Sequence, residues 1–299
     1  MTPLWILTKR NCKLFFKDKG TFFTSLATPL ILLVLYATFL GEVYKDSFIL
    51  TMGQMGYTVE DGLVNGFVAG QLFSSLLAVS AITVAFCSNM LMVQDKVSGA
   101  RMDLTVSPVL PRTLSLAYYF ATVISTLLVC LVAGAACLIY VAAVGWYLSL
   151  ADVLLILLDT LILVLLGTAV SSVIHFFLST QGQISAVGSI VSSCYGFLCG
   201  AYMPISQFST GLQTVLSVLP GTYGTSLLRR HALRGVCEEM LAQGYAKDAV
   251  IGLQDAFDYH IYVADRLVEP WVMYLVLTLC TAAFILIYVL LNRKKAKQK

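Results

Sequence analysis

The chain has 299 residues, of which 59% are hydrophobic and only 12% are charged, and its mean hydropathy is +0.85. Soluble domains are about 45–50% apolar and about 25% charged, so the composition excludes an ordinary soluble protein and predicts an integral membrane protein. The net charge of +3 comes from basic residues at the edges of apolar segments, which does not indicate nucleic-acid binding.

The N-terminal residues 3–19 combine basic and apolar side chains with a helical period. Leucine, tryptophan and phenylalanine occupy one side of the helix, and the basic residues share the other side. Those basic residues are Lys9, Arg10, Lys13 and Lys17. The pattern predicts an amphipathic helix lying on the membrane surface. The alternative is a basic tail that only precedes the first membrane span.

Six apolar segments are long enough to cross a bilayer as helices. They cover residues 22–40, 67–92, 114–144, 153–178, 183–202 and 271–291. We therefore predict an all-α membrane protein with six spans, in which residues 1–299 form a single transmembrane domain. Outside the spans lie the amphipathic segment 1–20, polar loops at 42–66 and 94–113, and a large segment at 204–269 that contains a re-entrant apolar helix.

Six spans place both termini on the same side of the membrane. Thirteen lysines and arginines lie on that side, and six lie on the other. Because short cytoplasmic segments are enriched in lysine and arginine, both termini are predicted to be cytoplasmic. Loop 94–113 then faces the cytoplasm, and segment 204–269 faces outward.

The second span carries a stripe of polar and small side chains. A helix that faces only lipid has no use for such a stripe, which predicts contact with protein or with a water-accessible cavity. The stripe includes Gln71, Ser74, Ser75, Ser88 and Asn89.

The fifth span carries small residues four apart, at Gly188, Ser192, Gly196 and Gly200. Small residues at this spacing let two membrane helices approach closely. The contact is either internal to one bundle or made with a second subunit. The chain then breaks near Pro204 and again at Pro220.

Two ionisable residues fall inside the fourth span. Asp159 lies about two turns from the start of the span, and His175 lies near its cytoplasmic end. An intramembrane carboxylate is a candidate functional group, although it can also reach interfacial water or pair with a neighbouring helix. Sixteen residues separate the two side chains, which is too far for them to share a proton. No metal site is predicted, because the remaining histidines and cysteines fit no ligand spacing.

Loop 94–108 reads as a short charged helix that ends at prolines. Such a helix is suited to docking a soluble partner, although many loops of this kind only connect two spans. The candidate docking residues are Asp95, Lys96, Gly99, Arg101, Asp103, Leu104 and Pro108.

This loop resembles the loop between the second and third helices of ABC-2 type exporter permeases. The match includes Asp95, Lys96, Gly99, Leu104, Ser107, Pro108 and Arg112. A later run, Gly200, Pro204, Pro220, Tyr223 and Arg229, resembles the family's signature after the fifth helix. Two positions depart from the pattern: Ala100 stands where the family often has Thr or Ser, and Met102 stands where it often has Glu.

The resemblance implies a transport subunit that exports an amphipathic drug, antibiotic, lipid or peptide. A separate cytoplasmic ATPase would bind ATP and Mg and push on loop 94–108, and this chain would bind no cofactor. The second and fifth spans would line the path, with Tyr195 added to the stripe residues. The ladder of small residues would lie near a dimer axis, and Pro204, Pro220 and Arg229 would form an extracellular elbow. The membrane would be a cell membrane, as in bacterial exporters.

The sequence supports a separate ATPase, because no glycine is followed by lysine and a phosphate-binding GxxxxGK[ST] loop is therefore absent. Two other functions stay open. One is a proton-driven secondary transporter that uses Asp159, and the other is an intramembrane enzyme that uses Asp159 or His175.

Overall fold

A computed structural model describes residues 2–107 and 109–297, with side chains described up to Lys294. The structure is 83% helical, which confirms the all-α prediction. The other regular element in the described ranges is a two-residue hairpin, β1 Tyr262–Val263 paired antiparallel with β2 Arg266–Leu267.

The helices of the described residues follow one another along the chain with short connections. Their bounds are α1 Pro3–Lys17, α2 Lys19–Leu35, α3 Gly41–Gln54, α4 Asp61–Ser88, α5 Met90–Val97, α6 Ala100–Val106, α7 Pro111–Val144, α8 Leu150–Phe177, α9 Gln181–Leu198, α10 Thr210–Leu216, α11 Pro220–Ala242, α12 Lys247–Ala256 and α13 Pro270–Lys297. Five helical stretches in the described ranges are long and apolar enough to cross a membrane: Lys19–Gln54, Asp61–Val97, Pro111–Val144, Leu150–Phe177 and Pro270–Lys294.

The segment predicted as the fifth span forms helix α9. Its 18 residues correspond to about 27 Å at 1.5 Å per residue, close to the hydrocarbon thickness of a bilayer. Its serines, glycines and glutamines keep it less apolar than the other five stretches.

Helix α4 lies at the centre of the bundle. It packs against α2, α7, α8, α9 and α11, and every residue from Phe67 to Ser88 is buried. A glycine lets α11 approach closely, because a methyl group at Gly70 would press against the carbonyl oxygen of Ala232. The polar stripe of α4 therefore faces protein rather than lipid.

The expected loop 42–66 is mostly helix. The chain continues from α2 through a π-helical turn, Tyr36–Leu40, directly into α3. Tyr44, Phe48 and Met52 are buried at every fourth position of α3, and this packing stabilises the helix despite its polar neighbours. Helix α2 also continues without interruption through Pro29.

Segment 204–269, expected to be polar with one short apolar helix at 212–219, contains a long buried helix. Helix α10 is short, whereas α11 runs for 23 residues and packs on α4, α8 and α13. It lies antiparallel to α8, since Gly224 meets Leu163 while Arg234 pairs with Asp152. Leu163 is about 20 Å along α8 from Leu150, so the start of α11 reaches deep between the helices.

Candidate functional site

The loop between the second and third spans is built from α5 and α6, joined at a sharp turn. Gly99 has a φ of +84°, in the left-handed region where a side chain is strained, so glycine at this position lets the chain reverse. Helix α5 continues the central span, and α6 stands at the end of the bundle. Leu104 packs partly against the core, and Pro108 lies outside the described residues.

Asp95 binds the N-terminal helix to the bundle. Its carboxylate accepts hydrogen bonds from Arg10 Nη1 at 2.7 Å and from the Tyr118 hydroxyl at 2.6 Å. The hydrogen bond and the charge of Asp95 raise the pKa of the Arg10 guanidinium above its ordinary value, although burial opposes them. Asp95 is buried, so its role in this structure is to join α1, α5 and α7.

Lys96 caps the C-terminus of α8. Its ammonium group donates to the carbonyl oxygens of His175, Phe176 and Leu178 at 2.8–2.9 Å. A cation at this end of a helix is favourable, because the last carbonyls carry partial negative charge. Lys96 thus ties α5 to α8.

Arg101 ties α6 to the last helix, since its Nη2 donates to Asn292 Oδ1 at 2.9 Å. The opposite face of α6 is uncovered. Met102 is 64% exposed and Val106 is 88% exposed, one turn apart on the same face. Asp103 beside them is also exposed. Of the predicted docking residues, Asp103 is therefore the charged side chain on the open face, and sequence reasoning missed Met102 and Val106.

The predicted path residues of α4, and Asn89 directly after it, are buried inside the chain. Asn89 donates to Ser171 and Ser172 of α8 at 2.9 and 3.0 Å and accepts from Thr122 of α7. In contrast, polar atoms of Gln71, Ser75 and Ser88 make no hydrogen bond of normal geometry with any residue that the structure describes. Ser74 bonds the carbonyl oxygen three residues before it in the same helix.

An open groove of about 620 Å³ lies between the α2–α3 stretch and α9. Its lining is mostly apolar, with a few hydroxyl groups from both walls. Tyr44 forms part of the lining and stacks on Tyr36, with 5.6 Å between the ring centroids. Tyr44 adjoins Gln71, and Tyr36 adjoins Ser75. The tyrosine pair thus separates the groove from the polar stripe of α4.

The ladder of small residues on α9 makes contacts within the chain. Gly196 lies against the ring of Tyr202, Gly188 faces Met90, and Gly200 adjoins Ile205. Ser192 lines the groove. Tyr195 reaches Gly221 at the start of α11. The exposed face of α9 lies next to the face that carries the ladder.

The elbow after α9 is held by Arg229 and Asp258. Arg229 is 1% exposed, and it donates to the Gly200 carbonyl at 2.9 Å and pairs with Asp258 at 3.5 Å. Asp258 also accepts from the backbone amides of Ile205 and Ser206. Burial raises the pKa of Asp258, while Arg229 and these amides oppose the rise. Pro204 lines the groove, and Pro220 begins α11.

The sequence profile of the ABC-2 type transporters matches residues 2–231, which includes α1 to α10, the elbow and half of α11. The chain belongs to the ABC-2 type transporter family. It is therefore a membrane-embedded permease of an ABC transporter, a type of subunit that lacks the ATPase site and generally works with separate ABC ATPases. No curated protein matches the chain.

Asp159 of this permease is bound on both carboxylate oxygens. His231 Nδ1 from α11 and the Tyr274 hydroxyl from α13 each donate to it at 2.6 Å. Asp159 is buried, so the three groups join α8, α11 and α13. The contact between Asp159 and His231 could not be predicted from local sequence, because the two residues are 72 positions apart in the chain.

The other titratable side chains considered from sequence lie apart from this cluster. His175 bonds the Ser171 carbonyl in its own helix at 2.8 Å. His260 binds Asp255 at 2.7 Å. Among the described residues, no group of three or more histidine, cysteine, aspartate or glutamate side chains could hold a metal ion.

Proposed function

We propose that this permease exports an amphipathic molecule, such as a drug, antibiotic, lipid or peptide, when an ABC ATPase docks on α6 in the cytoplasm. The ATPase subunit binds ATP and Mg²⁺. The observation that carries the proposal is the exposed apolar face of Met102 and Val106 on a short helix at the end of the bundle. An exposed apolar patch beside a charged residue is typical of a protein-binding surface.

The anchoring of the α5–α6 unit supports a mechanical role. Asp95 connects it to α1 and α7, Lys96 connects it to α8, and Arg101 connects it to α13. Because these contacts are short and partly buried, a displacement of α6 is transmitted to four helices together. Loop 94–113 thus acts as the coupling element, with Leu104 packed behind the docking face.

The groove between the α2–α3 stretch and α9 supports an amphipathic substrate. It has an apolar lining with scattered hydroxyl groups, as expected of a site that binds apolar molecules and orients them with a few polar groups. Ser88 makes no hydrogen bond of normal geometry with a described residue, and Gln71 and Ser75 have only the poorly aligned Tyr44 and Tyr36 beside them. A buried polar atom that is left unpaired costs about 1–3 kcal/mol. We infer that the α4 stripe meets water or substrate in another state of the cycle, when the Tyr36–Tyr44 pair moves aside.

The uncovered face of α9 supports pairing with a second permease, either a copy of this chain or a sister chain. This face combines small and polar side chains, which are costly against lipid but pack well against another helix. Its exposed residues include Ser185, Ala186, Ser189, Ile190 and Ser193. In this arrangement α9 is the fifth of six membrane spans, α11 is the re-entrant helix, both termini are cytoplasmic, and the elbow faces outward.

A cysteine on this face is expected to crosslink two permeases. We predict that Ser189→Cys, in a Cys194→Ser background, gives a covalent dimer under mild oxidation in native membranes, because residue 189 is central to the exposed arc. Leu279→Cys on the exposed face of α13 serves as the matched control and should give little dimer. A product with a different mass would indicate a sister chain. Equal crosslinking of both variants would contradict the proposed interface.

Transport in vesicles separates this function from proton-driven transport. The permease and its co-purifying ATPase are reconstituted, and uptake of an amphipathic fluorescent dye is measured with Mg-ATP, with a non-hydrolysable analogue, and with a pH gradient alone. We expect uptake only with Mg-ATP. The Asp159→Asn variant should still take up the dye with Mg-ATP, but at a reduced level, because the Asp159 carboxylate binds His231 and Tyr274. Uptake driven by the pH gradient and abolished by Asp159→Asn would favour the secondary transporter.

A further inference from the structure

A second groove, of about 970 Å³, lies between the start of α7 and the end of α13. Its volume is at the upper end of the range for small-molecule sites. Five apolar or proline residues and three basic residues line it: Leu110, Pro111, Ile287, Leu290, Leu291, Arg112, Arg293 and Lys294. It is separate from the groove beside α9, and no role assigned so far uses it.

The floor of this groove continues the lipid-facing surface of α13. Ile287 is 44% exposed and Leu290 is 47% exposed. Both belong to the stretch Pro270–Lys294, which is apolar enough to cross a membrane and has few buried residues. An acyl chain is therefore the natural neighbour of these side chains.

The mouth of the groove carries three positive charges. Arg112 comes from α7, and Arg293 and Lys294 come from the last described turns of α13. All three are exposed, and no ion pair or hydrogen bond joins their side chains to another described residue. The N-terminus of α7 has no side-chain cap, so its partial positive charge adds to theirs.

We propose that this groove binds one anionic phospholipid. The phosphate of the headgroup contacts Arg112, Arg293 and Lys294, and one acyl chain lies along Ile287 and Leu290. Guanidinium groups match phosphate oxygens in a bidentate geometry, and clustered basic residues beside a membrane helix recognise anionic headgroups. If both termini are cytoplasmic, as proposed above, this lipid belongs to the inner leaflet; the site itself does not depend on that orientation.

Lipid retention by the full-length chain tests the site. The protein is purified in detergent, exchanged into mixed micelles of phosphatidylglycerol and phosphatidylcholine with the same acyl chains, and examined by native mass spectrometry. We expect the wild type to retain phosphatidylglycerol preferentially. The triple variant Arg112→Gln, Arg293→Gln and Lys294→Gln should weaken this retention by about tenfold or more, with an unchanged melting temperature in phosphatidylcholine alone.

A matched control separates a specific site from general attraction. Lys13→Gln, Lys17→Gln and Lys19→Gln removes the same charge from exposed positions in α1 and α2, and it should leave retention within about twofold. A second variant, Ile287→Trp with Leu290→Trp, keeps the charges but fills the groove, and it should also lose the lipid. Inorganic phosphate should not compete.

Three results would overturn the proposal. Equal losses in the two triple variants would show that retention follows net charge alone. Equal retention of phosphatidylcholine and phosphatidylglycerol would show that the basic residues do not select the headgroup. Normal lipid retention in the triple variant would show that Arg112, Arg293 and Lys294 do not bind the headgroup; loss of the ATPase subunit when this variant is purified from native membranes would then identify the groove as a protein-docking surface.

Discussion

The substitution Arg229→Leu is expected to lower the free energy of unfolding by about 3–5 kcal/mol, because it leaves a buried charge without its partner. Arg229 is 1% exposed and faces Asp258 and the Gly200 carbonyl. Without the guanidinium, burial makes the Asp258 carboxyl take up a proton more readily, and the Gly200 carbonyl loses its donor. The elbow should loosen, and export should fall with it.

The measurement is reversible unfolding in detergent micelles, with Arg230→Leu as the matched control. Arg230 is only partly buried, donates to the Tyr259 carbonyl at 3.2 Å and lies 5.1 Å from that ring, so its loss should cost about 1 kcal/mol. Adding Asp258→Asn to Arg229→Leu should recover part of the loss, because asparagine tolerates the φ of +53° at that position. Equal effects of the two arginine variants would contradict the account of the elbow.

The membrane class and most helices of this permease could be predicted from local sequence. Long apolar runs depend little on context, because a bilayer requires each spanning segment to satisfy its own backbone hydrogen bonds. The helix in residues 41–54 could also have been found, since Tyr44, Phe48 and Met52 repeat every four residues. The polar residues between these three positions concealed the four-residue period.

Helix α11 could not be predicted in the same way. It carries Arg229, Arg230, His231 and Arg234, which in isolation indicate a solvent-exposed segment. In the structure each of these has a partner from a distant part of the chain: Asp258, the Tyr259 ring and carbonyl, Asp159 and Asp152. Only tertiary contacts reveal that these charges are compensated inside the bundle.

For the candidate site as well, the sequence predicted one part and only the structure showed the other. The sequence pattern pointed to loop 94–108 as a docking segment, but the predicted docking residues included Asp95, Lys96 and Arg101, whose side chains bind other parts of the chain in the structure. Beside the exposed Asp103, the large apolar side chains left open on α6 are Met102 and Val106, which a search for charged motifs passes over. Their exposure follows from the Gly99 turn, which sets the direction of α6.

The double variant Met102→Glu with Val106→Glu is expected to abolish binding of the ATPase while the permease stays folded. Both side chains are exposed and one turn apart on α6, so two carboxylates in their place disrupt no internal packing. At the centre of a protein interface, however, each charge would have to be desolvated without a partner. We therefore expect a loss of at least about a hundredfold in affinity.

Leu241→Glu with Leu267→Glu is the matched control. It introduces the same charges at two exposed apolar positions in the segment assigned to the outer side. Melting temperatures and elution volumes of all three proteins in detergent should agree closely, which separates docking from folding.

Co-purification from native membranes tests the coupling role of α6 most directly. Tagged wild-type permease and the matched control should each retain a nucleotide-binding subunit and its ATPase activity, and the Met102→Glu, Val106→Glu variant should retain neither. Full retention of the ATPase by a folded double variant would contradict the account, because the face of α6 would then play no part in coupling.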